Sequence, residues 1–440
     1  MPFPTSSDFA RIAKYQKYYK LFKGDHDEVF QIADYLKRDI SKRELLYLSC
    51  NFAGLISKIS ADFLFLEPLK IDVRDNKTEE ILRDIYQGSS LQTVLYQAAL
   101  TQSYAGTAWL KVHFDGQRPV ISEVPPELVF PEIDQADVGK GPQKITIGYF
   151  LEIGEREYMF QEIHTPGQIT NKLFSVDGDG QIDKEVSLRL YRDDLEEEIE
   201  TGLSYIPIFK ISNFKTGREF FGFSDYHDLE SLMADLNERV TQISNQLNKH
   251  MNAKLAVPEG VLDEKGEVAN ANFEMVEIRG GESGAMIPRY ITNENPQIEN
   301  GFRQIDNLLR LLAMFSETSD VLLGLDAKGG VEKVGALRLR ILRTLAKIAR
   351  KRNFFDAAIK KALYCALDFY RVHVDSSIEP VYPQIVWGNP LPEDSLEKAQ
   401  IEEIRLRSGN ASLESSLRRL DSLEGESLKK EISLINKKDV

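Results

Sequence analysis

The chain has 440 residues, 42% hydrophobic and 28% charged, with 69 acidic against 55 basic side chains and a formal net charge of −14. That length exceeds what one hydrophobic core supports, so more than one structural region is expected, and the composition is that of a folded protein rather than a disordered one. The acidic balance excludes a nucleic-acid binder that works through its whole surface, but not local contact.

The opening "MPFPTSSDFARIAKYQ" is too polar for a secretory leader, and no apolar run approaches the roughly 20 residues that span a bilayer. These features predict a soluble cytoplasmic chain. Cys50 and Cys365 both fall in apolar helical patterns and read as buried thiols of a reducing compartment, not as a disulfide framework.

Residues 8 to 104 are mainly helical by pattern. Leu45, Leu48, Phe52, Leu55 and Ile59 recur at spacings of three and four and predict a helix over 43–65. Two more helices follow, broken at Gly88 with Ser89 or Ser90 as the next cap. The pattern then changes: "TAWLKVHF", "PVISEV", "ELVFPEI", "KITIGYFLEI", "EYMFQEIHT" and "EVSLRLY" are short β-rich runs separated by Gly, Pro and Asp turns. The acidic "DDLEEEIE" at 193–200 predicts a solvated face or turn. From Asp225 onward the chain is mostly helical again, apart from a turn-rich and strand-rich insert between Lys254 and Pro296. The fold class that emerges is α+β.

No enzyme signature holds. Neither "VGKGPQ" nor "DAKGGVEK" supplies a phosphate-binding Gly-x-x-x-x-Gly-Lys-Ser/Thr, and no Gly-x-Ser-x-Gly elbow occurs. The six histidines are scattered without metal-ligand spacing. "VDGDGQIDKE" at 176–185 resembles a calcium loop only in part: aligned on Gly180, it puts Ser175 at the first position and Val186 where a bidentate Glu belongs. A hairpin turn between "KLFSV" and "EVSLRL" is the favoured reading. No catalytic residue, metal or cofactor is expected.

In the second half, Ser224 is a plausible cap, with Asp225 and Asp228 near the positive end of a helix dipole. Leu229, Leu232, Leu236, Val240, Ile243 and Leu247 follow as a narrow stripe beside polar faces. A second stripe, Ile298, Phe302, Ile305, Leu308, Leu312 and Phe315, returns after the insert. Two helices flanking a small insert make a hairpin arm with a compact tip, or else an ordinary bundle or stalk. Next comes "DAKGGVEKVGALRLRILRTLAKIARKR" at 326–352, the basic exception in an acidic chain: Lys333, Arg338, Arg340, Arg343, Lys347, Arg350, Lys351 and Arg352 crowd into it behind paired glycines. Leu337, Ile341, Leu345 and Ile348 form an inward stripe, and the basic residues occupy more than one face. Most of them are therefore expected to pair with acidic groups of the same or a neighbouring subunit.

The order "IPIFKISNF…FGFSDYHDLESLMADLNERVTQIS", "SDVLLGLDAKGG…VGALRLRILRTLAKIARKR", "IVWGNPLPEDSLEKAQIEEIRLRSGNASLESSLRRL" resembles the portal proteins of tailed bacteriophages, most closely the long-tailed branch. "RELLYLSCNFAGLISKISADFLFLEPLKI" and "SYAGTAWLKVHF" match in the same order, so the resemblance runs from about Lys17 to about Leu423. One departure is Val334–Gly335, where the family often has a small or serine-containing pair.

The resemblance implies a homo-oligomeric ring, usually of twelve subunits, at one capsid vertex of the virion, assembled in the host cytoplasm, through which double-stranded DNA enters and leaves. It implies an outer wing of mixed α and β at 1–225, stem helices at 226–253 and 298–319, a clip at 254–297, a tunnel loop at 320–333, a long wing helix at 334–373 and a helical crown at 374–440. Partners would be a terminase motor, head-completion or adaptor proteins, and the major capsid and scaffolding proteins, with no membrane. The loop residues Lys328, Gly329, Gly330 and Lys333 would face the DNA channel, the glycines supplying backbone freedom. Leu236, Val240, Ile243, Arg338, Arg343 and Lys347 would serve subunit contacts. An acidic wall suits a conduit in which DNA must slide rather than bind. The competing expectations are a packaging ATPase or nuclease, which the missing P-loop opposes, and a virion scaffold or adaptor with helical arms and no channel.

Overall fold

The computed structural model describes residues 3–39, 47–134, 136–137, 139–177, 182–251, 254–258, 275–278, 289–291, 296–325, 334–388, 395–421 and 425–436. The fold is α+β. It divides into one compact unit of residues 1–327 and 343–387 and a second of 328–342 and 388–440.

The first unit opens with three helices, α1 (Ser6–Lys23), α2 (His26–Phe30) and α3 (Ile32–Asp39). A capping box between Thr5 and Asp8 starts α1, and Gly24 ends it at φ +98°, a conformation that glycine adopts without strain. Helix α4 (Phe52–Phe65) begins later than the periodicity predicts, because the Asn51 side chain accepts the Gly54 N–H at 2.8 Å and fixes the first turn there. Leu48 and Cys50 therefore precede the helix, and Cys50 is neither helical nor fully buried, unlike Cys365. Leu45 lies outside the described residues. After β1 (Lys70–Asp72) come α5 (Asn76–Gly88) and α6 (Leu91–Ala105), broken at Gly88 as expected. Ser90 occupies the N-cap position of α6, with no side-chain cap hydrogen bond.

The β-rich stretch forms β2 (Thr107–Phe114), β3 (Pro119–Val124), β4 (Val129–Glu132), β5 (Lys144–Ile153), β6 (Arg156–Thr165), β7 (Gln168–Val176), β8 (Ile182–Val186), β9 (Glu198–Glu200) and β10 (Ile208–Ser212). β2 sits between β3 and β10 in one antiparallel sheet. The sequential meander β4-β5-β6-β7-β8, with β9 also on β7, makes the other. β7 and β8 pair antiparallel as the hairpin reading requires, while residues 178–181 at its tip lie outside the described set. "EVSLRLY" is a strand only to Val186, because the Ser187 side chain accepts the Arg189 N–H and turns the chain into a short 3₁₀ segment. The acidic run is exposed, as expected, but part of it is a strand.

Residues 225–229 are turns, so the next helix, α7 (Glu230–Met251), starts later than a Ser224 cap implies. Three short strands follow, β11 (Lys254–Pro258), β12 (Met275–Ile278) and β13 (Arg289–Ile291), with β11 parallel to β12 and antiparallel to β13. Helix α8 (Pro296–Phe315) returns alongside α7. A Cβ on Gly301 would lie 2.7 Å from Ile243 Cδ1, so the missing side chain is what lets the two helices approach there.

The long basic helix expected at 334–373 is interrupted at Ile341. Helix α9 (Val334–Arg340) belongs to the second unit, and α10 (Leu342–His373) from Arg343 to the first. At 1.5 Å per residue α10 reaches about 48 Å. Phe355, Ala358, Ile359, Ala362, Leu363 and Ala366, at steps of three and four, are buried against α4, α5, α6 and β2. This helix is the spine of the first unit. β14 (Gln384–Val386) then pairs back on β1.

The second unit contains α11 (Ser395–Arg407), α12 (Leu413–Asp421) and α13 (Gly425–Asn436), and a buried carboxylate joins the first two. Glu402 accepts two bonds from the Arg419 guanidinium, each 2.9 Å, and one from Ser416 at 2.8 Å. Arg419 first, then Ser416, hold its carboxyl well below the usual range.

Glu123 on β3 provides a test of the first unit. Burial raises its carboxyl, opposed by a hydrogen bond with Thr101 and reinforced by Glu127, to about 7. A raised acid holds its proton longer in the folded than in the unfolded chain. Its contribution to stability is therefore full below about pH 4.3 and is lost as pH rises through about 7. Glu123→Gln should remove that loss, so its thermal midpoint should gain on wild type as pH rises across this window. A difference that stays constant with pH would contradict the burial of this carboxylate.

Candidate functional site

The sequence points to three places: the glycine loop, the hairpin seam and the basic helix. Lys328, Gly329, Gly330 and Lys333 lie outside the described residues. Leu236, Val240 and Ile243 of the seam pack in the apolar core, while the base of the hairpin and the basic helix meet in one polar cluster.

The hairpin is fastened to the N-terminal helices. Leu229, Met233 and Leu236 of the α7 region and Leu308 and Leu312 of α8 share a core with Tyr15, Tyr18 and Leu21 of α1 and Phe52 and Ile56 of α4. Val240 packs against its edge, and Ile243 is buried over Gly301. The polar side chains of α7 do not all face water. Asn237 and Thr241 are fully buried. Asn237 accepts the Cys50 N–H at 2.6 Å and donates to Met233 O and His26 Nδ1, both at 2.8 Å. Thr241 accepts the Leu48 N–H at 3.2 Å and donates back to Leu48 O. This pairs segment 48–50 with the helix and satisfies groups whose burial would otherwise be costly.

At the hairpin base the chain folds tightly. The Asn213 N–H donates to Gly106 O at 2.9 Å, the Gly222 N–H to Thr107 Oγ1 at 3.0 Å, and the Asp225 N–H to Ser103 O at 2.9 Å. A Cβ on Gly222 would collide with the Gly106 carbonyl, so glycine is required for this approach. The result places Asp225 inside the molecule, not at a helix start facing solvent. Its Oδ2 receives Lys351 Nζ at 2.9 Å, Lys347 Nζ at 3.4 Å and Ser103 Oγ at 2.6 Å, and its Oδ1 receives Asn213 Nδ2 at 2.9 Å. Both lysine side chains are nearly inaccessible, 7% and 3% exposed. Lys347 also donates to Ser316 O at 3.0 Å, and Lys351 to Gln102 Oε1 at 3.3 Å. Next to them Thr344 Oγ1 donates to Glu317 O and accepts the Ser319 N–H.

Electrostatics follow from this crowding. Burial alone would raise the Asp225 carboxyl, but Lys347 and Lys351 overcome it and hold the group far below the usual range. Burial lowers Lys351 to about 8, with Asp225 opposing and Lys347 assisting. One carboxylate thus joins α6, the loop 213–225, the end of α8 and the spine helix.

Above this cluster opens a groove of about 640 Å³. Lys215, Arg343, Lys347, Arg350 and Lys351 line it against Asp225, Asp228 and Glu317. Arg343 and Arg350 share the one Glu317 carboxylate, and Phe214 and Phe315 are exposed at its edge. Arg352 points elsewhere, donating to Phe63 O at 3.3 Å with its guanidinium over Trp387. Arg338 is exposed on α9. Among the described residues no cluster of His, Cys, Asp and Glu could hold a metal ion, and no helix is long and apolar enough to cross a membrane.

Sequence reasoning placed Lys347 on the basic helix but missed Asp225 as its partner, along with Asn237 and Thr241. The available signal was the pair Lys347 and Lys351, one turn apart on the same face of a helix with an apolar stripe.

The family model described as "Phage portal protein, SPP1 Gp6-like" matches residues 5–439. A solved chain described as "Neck of native GTA particle computed with C12 symmetry" is similar at a TM-score of 0.48 and 12% identity, over 84% of this chain and 89% of its own. "Neck of empty GTA particle computed with C6 symmetry" gives 0.47 and 14%, over 84% and 88%. "Virion of native gene transfer agent (GTA) particle" gives 0.45 and 12%, over 90% and 99%. No curated protein matches.

The cluster makes a sharp prediction. Asp225→Asn leaves two buried ammonium groups without a counter-charge and should destabilise the first unit by about 3–5 kcal/mol. Adding Lys351→Met should restore part of that loss. Chemical denaturation of both variants checks it, and a near-neutral Asp225→Asn would contradict the buried ion cluster.

Proposed function

Because the chain belongs to the phage portal protein family, we propose that it forms a ring of identical subunits, twelve by the family pattern, at one capsid vertex and lines the passage for DNA. A portal role is a structural one, carried out in the virion. In this reading the chain has no catalytic activity of its own, and ATP hydrolysis belongs to a separate terminase that docks on the ring.

The observation that carries the proposal is the family match over residues 5–439, joined to a two-helix hairpin with a small sheet at its tip. Residues 1–225 are assigned to the wing, 226–253 and 298–319 to the stem, 254–297 to the clip, 320–333 to the tunnel loop, 334–373 to the wing helix and 374–440 to the crown. Two features of the single chain favour assembly. Phe302, Leu311, Met314 and Phe315 of α8 remain exposed, an apolar surface that association would cover. Among the described residues β12 and β13 are the outer strands of the three-stranded sheet, and strands of a neighbour or of a docking protein would extend it. Identical subunits in head-to-tail contact close into a ring when the rotation per subunit fits.

Within the ring, Arg338 and Arg343 touch the neighbouring subunit directly. Leu236, Val240, Ile243 and Lys347 act on the contact by holding the hairpin at its angle. Lys328, Gly329, Gly330 and Lys333 are assigned to the DNA channel, the lysines meeting phosphate. The clip faces the terminase and, later, the head-completion or adaptor proteins, and the outer surface meets the major capsid and scaffolding proteins. The other reading, an adaptor with helical arms and no channel, lacks a comparable observation.

Leu236→Asp and Ile243→Asp each bury a charge in the hairpin seam and should abolish rings in negative-stain images. Neutralising Lys328 and Lys333 should leave rings intact and change the amount of DNA packaged or retained. Normal rings from both aspartate variants, or lost rings from the lysine variant, would overturn these assignments.

A further inference from the structure

Among the described residues, the groove above Asp225 is lined by more cations than carboxylates. In its depth, Lys347 and Lys351 share a single carboxylate oxygen of Asp225. At its rim, Arg343 and Arg350 share the single carboxylate of Glu317. Counting all charged lining residues, five cations face three carboxylates, in a chain whose total is −14. Partly buried positive charge in excess is costly unless an anion arrives to share it.

We propose that this groove is a carboxylate-binding site filled by a second copy of the chain, whose acidic side chain enters between Arg343 and Arg350 and reaches toward Lys347. This rests on the ring reading, which puts a second copy beside every groove. Three observations select the occupant. The deep lysine side chains are only 7% and 3% exposed, too recessed for the broad backbone of a duplex, which leaves the more exposed Arg343 and Arg350 at the rim to meet a single side chain. Phe214 and Phe315 stand 61% and 55% exposed beside the cations, and a protein surface covers such rings where a small free anion does not. Each copy has 14 more carboxylates than cations, so the complementary charge is present on the same protein. Planar carboxylates match the two guanidinium groups in geometry as well as charge.

The test uses the full chain with Arg343→Gln and Arg350→Gln together. Both side chains are more than half exposed, at 63% and 52%, so the fold is retained and a matched thermal midpoint verifies it. Ring yield is measured by sedimentation, in inorganic phosphate and in chloride at equal ionic strength, alongside binding of duplex DNA. The expected result is a loss of ring yield of about tenfold in the variant. Phosphate should inhibit wild-type rings more than chloride does, and this difference should vanish in the variant. Unchanged ring yield in the variant overturns the proposal while leaving the ring reading in place. Phosphate that stabilises the free subunit without affecting assembly would make this a small-anion site, which also overturns it. Weakened duplex binding with normal rings would assign the groove to nucleic-acid phosphate instead. If wild type forms no ring at all, the ring reading fails and this proposal falls with it.

Discussion

A buried carboxylate shared by two lysines is the constraint on which the arrangement of the first unit depends. Asp225 can be buried only because Lys347 and Lys351 come to it, and they can be buried only because it is there. Meeting that mutual requirement places the spine helix α10, the end of α6, the loop 213–225 and the end of α8 in one fixed relation. An apolar contact tolerates sliding, whereas directional bonds from Ser103, Asn213 and two ammonium groups to one carboxylate do not. The hairpin is thereby held at its base, while Asn237 and Thr241 hold it along its length to segment 48–50.

This explains why an acidic chain contains a basic helix. The residues of that helix do several jobs. Lys347 and Lys351 are internal ties, Arg352 covers Trp387 and bonds Phe63, and Arg343 and Arg350 line a groove that holds more cations than carboxylates among the described residues. The hairpin base and the groove thus draw on the same helix, through Lys347 and Lys351 for the one and Arg343 and Arg350 for the other.

Much of the fold was legible in the sequence where local chemistry and tertiary packing agree. The strands β2 to β6 stand out because Gly, Pro and Asp turns bound each β-rich run, and the helix break at Gly88 follows from glycine itself. The hairpin and its strand-bearing tip were visible from two apolar stripes around a Pro- and Gly-rich insert. Legibility failed where a side chain was claimed by a distant partner. Asp225 looks like a helix-starting acid, since nothing nearby in sequence reveals lysines more than a hundred residues on. Residues 48–50 look helical by periodicity, but their backbone is bonded to Asn237 and Thr241. The break at Ile341 falls inside a continuous periodic run, so periodicity alone carried the helix through it. The acidic run at 193–200 reads as solvated, and its edge pairing with β7 is a long-range choice that composition does not encode.

The claim that the lysines of the spine helix act inside the chain, tying the hairpin to loop 213–225, is tested most directly by amide hydrogen exchange on Lys347→Met. That change removes the bond to Ser316 O and one of the two charges on Asp225 while keeping the side chain's bulk. Protection should fall together in residues 312–319 and 213–225, which this cluster joins, while the β5–β6–β7 meander keeps its protection. Exchange that changes in neither segment, or in one without the other, would show that the cluster does not couple them and would contradict the account.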